Sequence, residues 1–306
     1  MAVVGATASG KSGLAFDVAR QRGDVEIISV DSMAVYREMD LATAKPTLAE
    51  RAAVPHHLVD VLDPSEECSV ALFREMAEGA IDSIAAASHL ALLVGGTGLY
   101  HRAVIDRLTI PPQFPELRRQ LDEELVDDGA LELAFAKLVA LDPVAARRIE
   151  PTNARRVARA LEVTLGTGEP FSSFGPGLEA YPEASVLQIG VEVDLEDIDS
   201  AIERRVAGWM DEGLFEEVRA LAGRPAGMSR TARQAIGYRE LLGVIEEGDD
   251  LVRALEVTRQ RTRALARRQR SWFRRDPRVR WVGPDELEAE LTSALERLAE
   301  TPQVRD

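Results

Sequence analysis

A phosphate-binding loop near the start of the chain constrains the fold more than any other feature. Residues 3–16 read VVGATASGKSGLAF, in which two glycines separated by four residues precede lysine and serine, the pattern G-x-x-x-x-G-K-[ST]. A strand pattern precedes the loop and a helical pattern follows it, so backbone N–H groups would converge on an anion at a helix N-terminus. We predict that the phosphate-binding residues are Gly5, Ala6, Thr7, Ala8, Ser9, Gly10, Lys11 and Ser12.

The identity of the phosphate-bearing ligand stays open at this point. Lys11 would neutralise phosphate charge and the Ser12 hydroxyl could hold Mg²⁺, but the loop recognises only a chain of phosphates. A second apolar segment, VEIISV, ends at Asp31, and a carboxylate beside bound phosphates can act as a metal ligand or as a general base. A helix N-cap is a third role for Asp31.

The first hundred residues alternate strand and helix patterns. The apolar segments MAVVG, VEIISV, HHLVDVL and LALLVGG are separated by helical stretches, which predicts a parallel sheet covered by helices on both faces. We expect an α/β fold with a P-loop NTPase-like core. Motifs follow residues 4, 30 and 94, at the carboxyl ends of strands, so they should face one crevice.

A helical insertion is expected to interrupt this core. The proline-rich segment IPPQFPE is followed by helical patterns up to about Gly166, and SVLQIGVEVD then resembles a strand that returns to the sheet. We predict a catalytic core from residues 1–111 and 185–306, with an insertion at 112–184. The C-terminal third reads as helical and ends in a possible last strand within RVRWVG.

The third motif is GGTGLY, which follows the LALLV strand. Gly95, Gly96 and Gly98 allow close approach of the backbone to a ligand, and Thr97 would place a hydroxyl in that gap. A plain strand-to-helix turn would also explain three glycines when the motif is taken alone. The phosphate loop and Asp31 at neighbouring strand ends favour the functional interpretation.

The charge distribution is uneven. The formal net charge is −15, which by itself disfavours nucleic acid as a partner. Between Arg253 and Arg280, however, eleven arginines face only two acids, Glu256 and Asp276. This arginine stripe is either a surface for a polyanion or a solvated helix face, and charge alone does not separate the two.

Several classes of protein are disfavoured. No apolar run reaches the roughly 18 residues of a membrane helix, and no secretory signal precedes the first strand, so we expect a soluble cytoplasmic protein. Cys68, the single cysteine, is expected in a helix as a small hydrophobic residue. His56 and His57 are adjacent on a strand pattern and would point to opposite faces, so we expect no zinc site.

Five ordered segments, VVGATASGKS, SVDSMAVYREMDLATAKP, HHLVDVLDPSEECSVALFR, LLVGGTGLY and RQAIGYRE, resemble the tRNA dimethylallyltransferases, also called tRNA isopentenyltransferases. The resemblance runs from residue 3 to about residue 275. It implies transfer of a dimethylallyl group from its diphosphate to the exocyclic amine of the adenosine 3′ of the anticodon, in tRNAs that read codons beginning with U.

The resemblance also implies roles for individual residues. The phosphate loop would hold the leaving pyrophosphate with Mg²⁺, assisted by Lys11 and by Ser12 as a metal ligand, while Asp31 would be the general base and Thr97 would position the reacting groups. Ala6 replaces a frequent family proline, and Gln234 replaces a frequent arginine or lysine. The implied tRNA contacts are Asp31, Ser32, Met33, Ala34, Thr97, Arg155, Arg156, Val157, Ala158, Arg159, Gln234, Ala235, Ile236, Gly237, Tyr238 and Arg239.

Three alternatives remain beside this interpretation. An adenylate isopentenyltransferase would use the same chemistry on a free nucleotide, but it would need neither the insertion nor the arginine stripe. A small-molecule kinase would use the loop for ATP and would leave GGTGLY and DSMAVY unexplained. A non-catalytic tRNA-binding module would give Lys11, Asp31 and Thr97 no purpose. We expect a monomer with tRNA and dimethylallyl diphosphate as partners.

Overall fold

The computed structural model describes residues 1–125, 129–183 and 186–300. The chain divides into a first unit, Met1–Asp106 with Glu183–Asp306, and a second unit, Arg107–Pro182. The second unit is inserted into the first. The boundary expected between residues 184 and 185 lies outside the described residues.

One parallel sheet, six-stranded over the described ranges, organises the first unit. Its order is β3-β2-β4-β1-β5-β6. The predicted returning strand is β5, which pairs with β1, and the predicted last strand is β6, which pairs with β5. The strands are β1 (Ala2–Val4), β2 (Val25–Val30), β3 (His56–His57), β4 (Leu90–Gly95), β5 (Gln188–Val191) and β6 (Val279–Val282).

Helices cover both faces of this sheet, and the regular secondary structure described in the second unit is helical. The second unit contains α5 to α8, and the other helices belong to the first unit. Short 3-10 turns occur at Phe171–Phe174 and Ala232–Gln234. In the described parts of the chain the α-helices are α1 (Lys11–Arg22), α2 (Leu48–Ala53), α3 (Val70–Ala86), α4 (Gly98–Ile105), α5 (Pro115–Glu124), α6 (Ala130–Leu141), α7 (Pro143–Arg148), α8 (Ala154–Thr167), α9 (Leu195–Asp211), α10 (Leu214–Ala222), α11 (Tyr238–Glu246), α12 (Leu251–Arg274) and α13 (Pro284–Glu300).

The continuous apolar runs of the strands are explained by burial on two faces. Successive residues of a strand point to opposite faces. Ile28 and Val30 of β2 belong to one hydrophobic cluster together with Phe73 of α3. Val25 and Ile27 belong to another, which includes side chains of α1 and α13. Both faces therefore exclude water, and the expected α/β P-loop fold is confirmed.

The second unit has a core of its own. Leu121 of α5, Leu138 of α6 and Leu161 of α8 are buried together. Asp142 begins α7, and its Oδ1 accepts the backbone N–H of Ala145 at 2.9 Å. Asn153 caps α8 in the same way through the N–H of Arg156, at 3.2 Å. Asp142 and Asn153 thus start these helices as side-chain N-caps.

Two expectations about local structure are wrong. HHLVDVL was expected to be a strand, but β3 contains only His56–His57, because Leu58 and Asp60 have left-handed backbone angles (φ 61° and 57°) that end the extended run. Cys68 was expected in a helix, yet it precedes α3, whose N-cap is Ser69. Its side chain is buried, as expected for a small hydrophobic residue.

The two adjacent histidines bond in different directions, which agrees with their predicted alternation. His57 Nε2 lies 2.6 Å from Glu26 Oε2, while His56 Nδ1 lies 2.7 Å from the Val54 carbonyl oxygen.

Among the described helices, none combines the length and apolar character needed to cross a membrane.

The core of the second unit provides a stability prediction. Leu161 is fully buried, so Leu161→Ala should lower the free energy of unfolding by about 2–5 kcal/mol through lost burial and the cavity left behind. Leu133, which is 74% exposed, is the matched control. Leu133→Ala should change the free energy of unfolding by no more than about 0.5 kcal/mol. Urea denaturation measures both, and equal losses would contradict the assigned core.

Candidate active site

The phosphate loop connects β1 to α1 and has the geometry that its sequence predicts. Gly10 has a left-handed φ of 78° and directly precedes the helix. Because glycine has no side chain to cap a helix, the first N–H groups of α1 stay available to an anion. Ser9 Oγ is buried and has no hydrogen-bond partner in the described structure. An orphaned buried hydroxyl in this loop fits a ligand that brings acceptors.

Lys11 is buried at the base of the loop, and its Nζ donates to the Ala6 carbonyl oxygen at 3.0 Å. Burial lowers its pKa to about 8, with Asp31 acting to raise the pKa and Arg205 to lower it. The ammonium is therefore mostly charged at neutral pH. An approaching phosphate would stabilise the charged form further.

Asp31 follows β2 and forms a tight turn. Its Oδ1 accepts the backbone N–H of Met33 at 2.8 Å and that of Ala34 at 3.3 Å. Residues 32–35 are a turn rather than a helix, so the helix N-cap role considered for Asp31 is wrong. The carboxylate lines the same cavity as Lys11.

The glycines of GGTGLY allow close packing against other parts of the protein, and Gly95 and Gly96 also line the cavity that contains Lys11. A Cβ on Gly96 would lie 2.5 Å from Gln269 Nε2, and one on Gly98 would lie 2.2 Å from the Trp272 ring. Thr97 lies between Gly96 and Gly98 in the sequence, and its Oγ1 accepts the backbone N–H of Ser32 at 3.4 Å. The β4 loop is thereby joined to the Asp31 turn.

The three motif segments meet, as predicted, at one edge of the sheet. A cavity of about 250 Å³ in the first unit is lined by Lys11, Ser12 and Asp31 and by parts of the β4 loop. Its other polar lining side chains include Lys45 and Arg205. Thr97 is not a lining residue and contacts the Asp31 turn through Ser32.

Arg205 was missed by the sequence analysis. It lies on α9, half-buried, and its Nη1 is 3.3 Å from Thr7 Oγ1, to which it donates. Burial lowers the pKa of its guanidinium. The helix reads as an ordinary amphipathic segment far from the loop in sequence, so only the fold shows that Arg205 reaches the cavity.

Gln269 was also missed. Its Oε1 accepts the Thr7 backbone N–H at 2.7 Å, and its side chain covers Gly96. Gln269 thus connects the phosphate loop with the β4 loop. The only sequence signal was its place inside the arginine stripe.

Acidic side chains neutralise much of the arginine stripe. Along α12, Arg259 and Arg263 pair with Glu203, and Arg267 pairs with Asp199 at 2.9 Å. Arg270 and Arg274 both pair with Glu192. This face of α12 is an attachment to α9 and to the segment after β5, so the stripe does not by itself support a polyanion surface.

Burial limits which of the expected tRNA contacts can be made by side chains in the second unit. Val157 and Ala158 were expected to contact tRNA, but their side chains are fully buried within the core of this unit and cannot do so. Arg155 and Arg156 are exposed in the first turn of α8. Arg159 is half-buried and is held by Glu162, at 2.6 Å, and by the Pro111 carbonyl oxygen.

The same correction applies to the expected contacts in the first unit. The side chains of Ala34, Ala235 and Tyr238 are buried, and Tyr238 donates its hydroxyl to Glu217. Gln234 and Arg239 are exposed. Ile236 is partly exposed, and Gly237 has a left-handed φ of 93° before α11.

The chain is similar to known proteins along nearly its whole length. A sequence model of the family described as IPP transferase matches residues 34–276. A protein of Streptomyces avermitilis named tRNA dimethylallyltransferase is 43% identical over 306 residues, 99% of this chain and 93% of that protein. A protein of the same name from Streptomyces griseus is 46% identical over 283 residues, 92% of this chain and 89% of that protein.

Solved structures show the same likeness. The tRNA isopentenylpyrophosphate transferase of Bacillus halodurans is 35% identical, with a TM-score of 0.69, over 98% of this chain and 96% of that one. A eukaryotic dimethylallyltransferase described as acting on tRNA is 24% identical, with a TM-score of 0.77, over 100% of this chain and 80% of that one. The second comparison shows a shared fold.

The pKa of Lys11 predicts how anion binding depends on pH. The free ammonium keeps its proton below about pH 8 and loses it above, so affinity for inorganic pyrophosphate should fall by up to about tenfold per pH unit beyond that point. Titration calorimetry from about pH 6.5 to pH 9.5 measures this. Lys11→Met should bind pyrophosphate weakly at every pH and should lack the part of the pH dependence that comes from Lys11. If the affinity of both proteins changed with pH to the same extent, the assignment would be contradicted.

Arg205 provides a second prediction. Arg205→Gln removes a cation beside Thr7 and should weaken pyrophosphate binding by roughly 10- to 100-fold, since hydrogen bonds to charged groups contribute about 1.5–3 kcal/mol. Arg204 is the adjacent exposed arginine of α9, and Arg204→Gln should leave the affinity within about twofold. A similar loss in both variants would mean that general charge, rather than this contact, binds the anion.

Proposed function

The chain belongs to the IPP transferase family, that of the tRNA dimethylallyltransferases, and from this membership we propose its reaction. The enzyme transfers the dimethylallyl group from dimethylallyl diphosphate to the exocyclic N6 amine of the adenosine 3′-adjacent to the anticodon. Its substrates are tRNAs that read codons beginning with U, and it releases diphosphate. The resemblance found in the sequence is confirmed by these comparisons.

The observation that carries this proposal is one cavity in which two cations and a phosphate loop lie beside a carboxylate. Lys11, Arg205 and Asp31 all line this cavity. The charges of Arg205 and Asp31 both affect the pKa of Lys11. Prenyl transfer requires these parts. The bond between the allylic C1 and the diphosphate oxygen breaks, the N6–C1 bond forms, and the amine loses one proton.

Each group has a role that follows from its position. The loop N–H groups, Lys11 and Arg205 stabilise the negative charge that develops on the departing diphosphate. Asp31 accepts the N6 proton. Thr97, held by the Ser32 N–H, orients the segment beside the reacting groups.

Mg²⁺ fits the oxygen donors of the site. Ser12, in the first turn of α1, lines the cavity and offers a hard oxygen ligand of the kind that Mg²⁺ prefers. No cluster of three His, Cys, Asp or Glu side chains in the described residues could hold a metal ion. The chain would thus supply Ser12 as a ligand, with substrate phosphates supplying others. When bound, Mg²⁺ adds positive charge against the leaving diphosphate.

We place tRNA binding on the exposed members of two of the three expected segments, residues 155–159 and 234–239. Arg155 and Arg156 in the second unit, and Gln234 and Arg239 in the first, present polar side chains that can contact the phosphate backbone. The target adenine must leave its stack to reach a cavity, and backbone contacts compensate for that unstacking. We further propose that the enzyme is monomeric and works in the cytoplasm.

The comparisons do not favour the alternatives. Named tRNA dimethylallyltransferases match 92–99% of the chain, including the second unit. The assay below would detect transfer to free AMP or phosphorylation of a small molecule if either took place.

Labelled dimethylallyl diphosphate, incubated with Mg²⁺ and either unmodified tRNA or AMP, should label only the tRNA. Asp31→Asn should lower kcat by roughly 10²- to 10⁴-fold, because the proton acceptor is lost, while the Kd for tRNA stays within about threefold. Asp82, an exposed carboxylate of α3, is the control, and Asp82→Asn should retain activity. Label on AMP alone, or ATP consumption without prenyl transfer, would contradict the proposed function.

A further inference from the structure

The segment that runs from within the Asp31 turn to the start of α2 forms part of the cavity wall and contains a lysine that the proposed reaction does not use. We call residues 33–47 the strap. Its residues Ala34, Thr43, Ala44, Lys45 and Pro46 line the cavity. Lys45 is one of three lysines in a chain that otherwise uses arginine for its basic side chains.

The Lys45 ammonium is fully engaged by the protein. Its side chain is 3% exposed. Nζ donates to the Tyr36 carbonyl oxygen, to Asp40 Oδ1 at 2.8 Å and to Asp60 Oδ1 at 2.5 Å. An ammonium has three N–H donors, and three acceptors occupy them. Lys45 is therefore not a further phosphate ligand, although it stands in the cavity wall.

Two chains of hydrogen bonds lead from Lys45 to the carboxylate of Asp31. In the first, Lys45 binds the Tyr36 carbonyl oxygen, the Tyr36 N–H donates to the Met33 carbonyl oxygen at 3.2 Å, and the Met33 N–H donates to Asp31 Oδ1. In the second, Lys45 binds the carboxylate of Asp60, whose backbone N–H donates to the Ala34 carbonyl oxygen at 3.2 Å.

The second chain also ends at Asp31, since the Ala34 N–H donates to Asp31 Oδ1 at 3.3 Å. Met33 and Ala34 therefore both bind Asp31 Oδ1 through their N–H groups. The carbonyl group of each is connected to the Lys45 ammonium through one intervening residue, Tyr36 for Met33 and Asp60 for Ala34. Burial would raise the pKa of Asp60, but its bonds from Lys45 and Arg51 outweigh burial and lower it. The carboxylate partner of Lys45 is therefore ionised at neutral pH.

The backbone around Lys45 needs such an anchor. Glu38, Ala44 and Asp60 have left-handed φ values of 62°, 52° and 57° without being glycine. Such conformations persist where the surrounding structure determines them. A compact ammonium can reach acceptors in three different directions, whereas a planar guanidinium presents its donors in one plane. The geometry explains why a lysine stands here.

We propose that Lys45, through its ion pair with Asp60, is a positioning residue for the transfer reaction, holding the turn that orients the Asp31 carboxylate. The proposal rests on the proposed function, because it assigns Lys45 to the proton-accepting step of that reaction. Lys45 contacts no reacting atom. It fixes the strap to the 58–62 segment and thereby fixes the direction of the carboxylate.

The test separates catalysis from binding. Lys45→Met should lower kcat for dimethylallyl transfer to tRNA by roughly 10- to 100-fold, because a misplaced base is a poor proton acceptor. Its Kd for inorganic pyrophosphate should stay within about twofold of wild type, since the loop, Lys11 and Arg205 are untouched. Its Kd for unmodified tRNA should stay within about threefold. Lys45→Arg should recover only part of kcat.

Asp60→Asn is the second variant, and it preserves the backbone bond to Ala34. It should lower kcat in the same direction, and the Lys45→Met/Asp60→Asn double variant should be no slower than Lys45→Met alone, as expected for two members of one unit. Arg51→Met is the matched control. It removes the other cation bound to Asp60, at 2.5 Å, while leaving the bond from Lys45 to Tyr36, so kcat should change by less than about threefold.

Distinct outcomes would overturn the proposal. An unchanged kcat in Lys45→Met and in Asp60→Asn would show that the turn holds without the ion pair. A raised pyrophosphate Kd at unchanged kcat would make Lys45 a diphosphate ligand. If Lys45→Met does not fold, Asp60→Asn with normal kcat would still contradict the proposal. A wild-type protein that transfers no prenyl group to tRNA would remove the proposed function, and this inference with it.

Discussion

Positive charge held in one partly buried cavity is the constraint on which the rest of the structure depends. Lys11 is buried beside the phosphate loop, and Arg205 reaches the same loop from α9. Burial disfavours both charges, and the two cations also oppose each other. Asp31 offsets part of this, and a diphosphate would offset much more. The other elements keep these groups in place around that anion.

The pairing of α12 with α9 shows how an acidic protein delivers cations to this cavity. The two helices exchange ion pairs between the arginine stripe and Glu203 and Asp199, which fixes α9 and with it Arg205. The same packing brings Gln269 onto Thr7 and Gly96. Much of the basic charge that first suggested a nucleic-acid surface is therefore paired with acidic side chains of the same chain. Arginine content alone does not identify the residues that can contact RNA.

Local patterns predicted those parts of the fold in which one interaction dominates. The apolar runs at β2 and β4 are buried on both faces, so hydrophobicity alone predicts them correctly. Asp142 and Asn153 begin helices through a local bond to a nearby N–H, which their sequence positions indicate. The strand predicted for HHLVDVL is cut short because Leu58 and Asp60 have left-handed backbone angles. The segment after them hydrogen-bonds to the strap, residues 33–47, which is distant from it in sequence.

The sequence by itself determined the phosphate loop, the strand ends that carry Asp31 and Thr97, and the resemblance to a family, because each is a short pattern of residues whose chemistry is local. Only the tertiary structure decided which cations serve the loop. Arg205 and Lys45 are both basic residues near acidic neighbours, yet Arg205 contacts Thr7 while Lys45 is saturated by Tyr36, Asp40 and Asp60. A side chain's partners depend on packing between elements distant in sequence, and no local pattern encodes them.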